Sequence, residues 1–292
     1  MNAGNVNEAV ALLQTATDTL SLDQLQLILE ALDQRAQELM ANGDPAAAER
    51  LFTVGSRLEL YSDSNDAVYV FIPPGPFTIG SDPEQDPLAL NNEVPQHTVD
   101  VDGFWIMRTE VTNAQYGRCV EAGICSVPGN DDWNRSELAG RPVTNVTWVQ
   151  ASTYAAWVGG RLPTEAQWEK ACRGTDARIY PWGDEPPTED RLNFNANIGA
   201  TTDVGNYPLG AYGLYDMAGN VWEWTSSQYQ DYPYDSDDGR EDLEGDAWRT
   251  LRGGSFDDLV DHVRCAVRFN YGPASSGFVF GGFRVVVVSP GS

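Results

Sequence analysis

Gly213-Leu214-Tyr215-Asp216-Met217-Ala218-Gly219-Asn220-Val221-Trp222-Glu223-Trp224-Thr225 is the most informative run in this 292-residue chain. Trp222 and Trp224 alternate around Glu223, so the two indoles are expected on one side of a β-strand and the carboxylate on the other. Upstream stands Gly160-Arg161-Leu162-Pro163-Thr164-Glu165-Ala166-Gln167-Trp168-Glu169. There Pro163 suits the first turn of a helix, and Trp168, a few residues on, can bury against a sheet. Downstream come Arg252-Gly253-Gly254-Ser255-Phe256 and Gly282-Phe283-Arg284-Val285.

Around these runs the texture is one of short β-type stretches, Gly/Pro punctuation and many aromatics. Val68-Tyr69-Val70-Phe71-Ile72 reads as a strand and is followed by Pro73-Pro74-Gly75-Pro76. Helices are predicted from Thr112 over 113–122, over 149–158, and over 164–172 behind Pro163. Residues 184–212 and 228–247 are long and irregular, the kind of loop that is either functional or tied down by packing or ions. The first 60 residues differ. Val10, Leu13 and Leu20, then Leu25, Ile28, Leu29, Leu32 and Leu39, recur at helical spacing. Ser21 with Gln24 resembles a capping box, Asn42-Gly43 closes a helix, and Asp44-Pro45 opens another. Helices are placed near 6–18, 22–41 and 45–60. The expected division is a small helical segment at 1–62 and an α+β domain at 63–292. The helical unit is too short to be stable alone, so it is expected to dock on the larger domain, on itself or on a partner.

Nine Trp, twelve Tyr and ten Phe supply a packed interior. The formal charge of −25, with a single lysine at Lys170, excludes nucleic acid as an expected partner, since phosphate binding needs clustered cations. No basic region followed by an apolar run opens the chain, and no apolar stretch is long enough to span a bilayer. No membrane insertion is expected, and the expected location is the cytoplasm. The four cysteines, Cys119, Cys125, Cys172 and Cys265, fit no zinc spacing, and a reducing compartment would keep them as thiols. Cys119 and Cys125 can approach if the helix between them ends, which Gly123 permits.

The runs quoted above form part of a collinear series. It includes Phe71-Ile72-Pro73-Pro74-Gly75-Pro76-Phe77, Thr109-Glu110-Val111-Thr112-Asn113, Arg141-Pro142-Val143-Thr144-Asn145-Val146-Thr147-Trp148 and Tyr180-Pro181-Trp182-Gly183. The series resembles the formylglycine-generating enzyme (sulfatase-modifying factor) family. The resemblance implies a C-type-lectin-like α+β fold from about residue 63 onward. It also implies that Cys265 is the family's structural cysteine, with Cys172 as its partner.

Enzymes of that family oxidise a substrate cysteine with copper held by two thiolates, which are soft ligands suited to Cu(I). By the resemblance, those cysteines would lie near Asp258 and Val260, and neither position is Cys. A related branch, the ergothioneine-type sulfoxide synthases, holds iron on a histidine cluster, whereas this chain has only His97 and His262. No copper, no iron and no catalytic residue are therefore expected, and the chain is expected not to be an enzyme. The resemblance further implies structural Ca2+, with the side chains of Asp216 and Glu223 and the carbonyls of Gly219 and Val221 as hard oxygen ligands. The alternative is that Asp216 and Glu223 cap a turn and pair with arginine.

The last 40 residues contain no Lys, Glu, Gln, Met or Trp, although the preceding 252 hold 43 of them, so that about six or seven would be in proportion. Those five are the residues that cannot be reached by randomising the adenines of Asn codons ending in a pyrimidine. Such filler between framework pieces resembles the variable region of proteins diversified by a retroelement, which use this same fold. Residues 253–284 are the candidate variable region. Its expected ligand-binding side chains are Asp257, Asp258, Leu259, Asp261, His262, Phe269, Asn270, Tyr271, Ser276, Phe278 and Phe280. Phe256 would join them or belong to the core, and Phe278-Val279-Phe280 would be buried or meet a ligand. The expected function is non-catalytic binding of a variable ligand, taken to be a protein. The alternatives are a divergent oxidoreductase of the family and an adaptor acting through its N-terminal helices.

Overall fold

The computed structural model describes residues 65–274 and 278–287, the backbone of 59–62, and residues 28, 31, 32, 35 and 38. The last group is helical, and Leu32 packs against the main hydrophobic cluster, so the N-terminal region touches the larger unit there. The helix expected over 6–18 lies outside the described residues, as does most of that over 45–60. The end of the latter is corrected: Glu59–Ser62 is a strand, β1. It pairs antiparallel with β2 (Ala67–Ile72), Glu59 opposite Val70 and Ser62 opposite Ala67, and this local hairpin overrides the helical pattern before it.

Next come β3 (Gly75–Ile79), β4 (His97–Val101) and β5 (Phe104–Met107). The helices are α1 (Asn113–Glu121), α2 (Trp148–Trp157) and α3 (Glu165–Arg173), close to the expected spans. Each starts with the same device: Thr112, Thr147 and Thr164 accept from the backbone N–H of a Gln three residues on, whose side chain accepts the threonine's own N–H. Thr164 is thus the N-cap, and Pro163 stands before the helix instead of inside its first turn. The Pro163 carbonyl accepts from the Ser226 N–H at 2.8 Å instead.

The C-terminal half supplies β6 (Trp222–Gln228), β7 (Arg249–Arg252), β8 (Arg268–Tyr271), β9 (Gly281–Gly282) and β10 (Val286–Val287). One sheet has the order β1-β2-β5-β10, a second pairs β3 with β4, and a third runs β8-β7-β6-β9, with β6 and β9 parallel. The first sheet is buried on both faces. Tyr69, Phe71, Trp105 and Met107 pack with residues of α1 and α2, while Val70, Ile72, Phe104 and Ile106 pack with α3. That two-sided burial explains the unbroken apolar run at 68–72.

The third sheet divides in the expected way. Trp222 and Trp224 join Leu251 in the main core, and Glu223 points to the other face. That face meets α3, which is buried along its whole length, including Glu165, Glu169, Lys170 and Arg173. Glu165 takes two contacts from Arg268, at 2.5 and 3.0 Å, and Glu169 is paired with Arg252 and with Arg173. Burial works against ionising Glu165, yet the guanidiniums of Arg268 and Arg252 hold its carboxyl below the usual carboxylate range.

Both cysteine pairs, Cys119–Cys125 and Cys172–Cys265, are disulfides, which corrects the expectation of thiols. α1 ends between the first pair, and Gly123 takes a positive φ of 73° just beyond it.

Candidate functional site

The segment 253–284 wraps the edge of the third sheet and lays a set of rings along it. Strand alternation places Phe269 and Tyr271 on the Trp222/Trp224 face, and Phe278 folds over both. The centroids of Trp222 and Phe269 lie 5.4 Å apart, Phe269 and Phe278 5.6 Å, Tyr271 and Phe278 5.2 Å. Phe280 continues the set, 5.8 Å from Phe278 and 5.4 Å from Phe256. These separations are those of favourable aromatic pairs. The rings are half-buried, and Phe269 is exposed. Leu259 and Val279, 59% and 55% exposed, add apolar surface. Four expected ring residues are thus brought together, with Phe256 on the surface beside them.

Other expected residues divide. Asp257 is exposed, and Asp261 with His262 forms a half-exposed pair, Oδ1 to Nδ1, at 2.9 Å. Asn270 is corrected: alternation along β8 turns it to the Arg268 face, away from the rings. Ser276 lies outside the described residues. Asp258 is also corrected, because its carboxylate is occupied inside the segment. Its Oδ2 accepts from the Trp222 indole at 2.8 Å, the Ser255 N–H at 2.9 Å and the Ser255 hydroxyl at 2.5 Å. Of the run Phe278-Val279-Phe280, which the sequence left buried or facing a ligand, Val279 is exposed, and Ile198 is 54% exposed. No local pattern in the sequence marks Ile198.

What holds this segment is mostly main chain. Asn195 N–H donates to the Asp258 carbonyl and Ala196 N–H to the Phe256 carbonyl, at 2.8 and 2.7 Å. Phe256 N–H donates to the Asn220 carbonyl, and Trp222 N–H to the Phe280 carbonyl. At Gly254, φ is +74° and a Cβ would fall 2.2 Å from the His262 carbonyl oxygen, so only glycine permits this approach. The side-chain anchors are the framework arginines. Arg252 holds Glu169, Arg264 holds Glu93 and Asp86, Arg268 holds Glu165, and Arg284 holds Glu223. All four arginines are buried.

The copper-type positions, Asp258 and Val260, carry no sulfur, and the four cysteines are taken up in the two disulfides. The residues expected to hold calcium sit in a buried cluster with Glu110 and Arg284. Glu223 accepts from Arg284 Nε and Nη2, both at 2.7 Å, and from the Trp168 indole at 2.7 Å. Asp216 accepts from the Gly205 N–H at 2.6 Å, and Glu110 from the Asn220 amide at 2.9 Å, with its other oxygen left without a partner. Of the three carboxyls, Glu223 contacts the guanidinium, and Glu110 and Asp216 feel its charge at longer range. Burial, joined by repulsion from neighbouring carboxylates, raises Glu110 well above the ordinary range and Asp216 to about 6. Gly219 and Val221 are buried in the turn between, the Gly219 N–H donating to the Gly253 carbonyl at 2.9 Å. Among the described residues no group of three or more His, Cys, Asp or Glu is disposed to hold a metal ion. As arranged, Glu223 is committed to arginine and indole.

The sulfatase-modifying factor enzyme 1-like domain matches residues 60–288. The hercynine oxygenase of Mycolicibacterium smegmatis is 34% identical over 275 residues, covering 79% of this chain and 61% of that protein. The formylglycine-generating enzyme of Mycobacterium tuberculosis is 33% identical over 230 residues, covering 56% of this chain and 75% of that one. The chain spans 52–61% of the length of the hercynine oxygenases it matches. Among solved structures, Treponema denticola variable protein 1 aligns with a TM-score of 0.61 at 22% identity, over 78% of this chain and 98% of the other, a likeness of fold. The fold is the expected C-type-lectin-like α+β arrangement. The expectation that the chain is not an enzyme is overturned by its relatives, which are named as enzymes and share a third of their aligned residues with it. Its domain, matched over residues 60–288, makes the chain a member of the sulfatase-modifying factor enzyme 1-like family.

Proposed function

We propose that the chain binds a ligand, a protein, through the aromatic surface of residues 253–284, and that a retroelement diversifies this surface. The observation that carries the reading is the split between anchors and surface. The segment is held by main-chain hydrogen bonds, by Arg252, Arg264, Arg268 and Arg284, and by the Cys172–Cys265 bridge. The exposed side chains Asp257, Leu259, Phe269 and Val279 carry none of those bonds. Main-chain bonds do not depend on the side chain, so such positions can change while the fold persists. Half-buried Phe and Tyr rings beside Asp261 and His262 provide rigid apolar area with polar selectivity, as protein-binding surfaces do.

The composition points the same way, since the last 40 residues lack every residue unreachable from adenine-randomised Asn codons. The solved protein of the same fold carries the name variable protein. Sequencing the locus across a population tests the proposal. Expected are an adenine-rich near-copy of the DNA encoding 253–284, a nearby reverse transcriptase gene, and substitutions confined to adenine positions at the surface residues. Variation spread evenly over the gene, with no such copy, would refute it.

A further inference from the structure

A cleft of about 360 Å³ opens between the turn joining β4 to β5, the first turn of α3 and the 234–241 loop. None of its lining residues belongs to 253–284, so it is separate from the aromatic surface. Arg161 forms part of its wall. Arg173, Arg240, Arg252, Arg264, Arg268 and Arg284 are buried and each meets a carboxylate within 4 Å. Arg249, without one, donates to three backbone carbonyls and stacks on Trp148. Arg161 has neither arrangement. Among the described residues its guanidinium makes one hydrogen bond, from Nη1 to the adjacent Leu162 carbonyl at 2.9 Å.

Among the described residues this half-buried guanidinium meets no carboxylate, so it keeps unused donors in a fork whose geometry accepts a carboxylate side-on. The nearest internal acid does not fill that role. Glu241 accepts from Ser227 at 2.5 Å and from the Tyr234 hydroxyl at 2.7 Å, and it is not within ion-pair distance of Arg161. Burial, only partly offset by Glu241 and Tyr234, weakens the hold of Arg161 on its proton, as expected where no anion compensates it. The backbone of Arg161 is fixed by two hydrogen bonds to Val286, at 2.9 and 2.8 Å. The backbone beneath the donor is therefore set, and the Leu162 carbonyl holds one arm of the guanidinium.

Exposed Asp100 and Asp102 line the same cleft. Together with Glu241 they make the cleft acidic apart from Arg161, which disfavours phosphate and other polyanions. A volume of about 360 Å³ lies at the lower end of the small-molecule range of ~300–1,000 Å³. The geometry points to a second site, for a small zwitterion such as a free α-amino acid, whose carboxylate is held by Arg161 and whose ammonium faces Asp100 and Asp102.

Calorimetric titration of the full chain with individual L-amino acids, and with acetate, methylamine and inorganic phosphate as separate probes, tests this. At least one amino acid should bind, and at least tenfold more tightly than acetate, methylamine or phosphate. Arg161→Gln should weaken that binding at least tenfold. Asp100→Asn with Asp102→Asn, both at exposed positions, should weaken the amino acid and leave acetate no weaker than before. If Arg161→Gln does not fold, the double variant alone decides. Absence of binding by every amino acid at 10 mM (about 3 kcal/mol in free energy), tighter binding of phosphate, or amino-acid binding unchanged in the variants overturns the assignment. Variants of the aromatic surface leave these titrations untouched, so the two proposals fail separately.

Discussion

Asp257 and Asp258 are neighbours of identical chemistry, and the structure gives them opposite consequences. The Asp258 carboxylate receives the Trp222 indole and both donors of Ser255, whereas the Asp257 side chain is exposed. Ser255 is fully buried and Trp222 is 3% exposed, so Asp258→Ala strands three donors that water reaches poorly. Each stranded buried donor costs about 1–3 kcal/mol. Asp258 is itself half-exposed, and water entering the space left by its carboxylate recovers part of that, so a net loss of about 3 kcal/mol is expected. Asp257→Ala should stay within about 0.5 kcal/mol of the parent, as ordinary surface changes do. Guanidinium chloride unfolding at pH 7, with equal m-values in the three proteins, measures both. A difference below about 1 kcal/mol between the variants would refute the claim that Asp258 staples the segment while Asp257 is free to vary.

Arg268→Met removes the partner of buried Glu165 and should destabilise the protein by about 3–5 kcal/mol in the same assay, with Arg268→Met/Glu165→Leu recovering much of it; equal stability of the single and double variants would count against the pair. The Asp216 carboxyl, raised to about 6 by burial, keeps a proton that the unfolded chain releases near pH 4. Its contribution, at most about 3 kcal/mol, is complete below about pH 4 and is lost as pH rises through about 6. Stability measured from pH 4 to 7 should fall less steeply in Asp216→Asn, and an unchanged slope would contradict the assignment. Cys172→Ser opens a bridge between residues 93 apart and should cost about 4–5 kcal/mol by loop entropy, against about 2 kcal/mol for Cys119→Ser, which opens a separation of 6; calorimetric melting under non-reducing conditions orders them. Because both Glu223 oxygens are engaged by Arg284, millimolar calcium or a chelator should leave the melting temperature unchanged, and a calcium-dependent rise would show the ion displacing the arginine.

Much of the framework was legible because its devices are local. Three Thr-x-x-Gln caps mark the helix starts to within a residue, and the Trp-Glu-Trp alternation fixes which face of β6 meets the core. The ring residues Phe269, Tyr271, Phe278 and Phe280 were legible as a group, although their mutual contacts were not. What escaped sequence reasoning depends on distant partners. Asp258 differs from Asp257 only because Trp222 and Ser255 fold against it. Asn270 is lost from the surface through strand parity, which needs the start of β8. Glu59–Ser62 is the exception, a strand made by a local hairpin with β2 and hidden in the sequence by the helical pattern before it. The isolation of Arg161 is a statement about every carboxylate that fails to reach it, which no motif records.

Asp258, near which the family resemblance would set a copper-binding thiolate, carries a carboxylate that closes the loop on itself. A thiolate there would be a weak acceptor for the Trp222 indole and the Ser255 donors, whereas Asp258 satisfies them with a charged oxygen. The substitution therefore leaves no gap in the fold. The buried arginine–carboxylate pairs behind it follow a similar logic. Replacing such pairs by apolar residues would often cost little stability, but together the four arginines tie this segment to three elements: β6 through Glu223, α3 through Glu165 and Glu169, and the 86–93 loop through Asp86 and Glu93. Apolar contacts would hold the segment without prescribing its register, whereas four directional pairs prescribe it at four points. Under the proposed diversification, a surface whose side chains changed would need that register imposed from beneath, and the arginines lie beneath it.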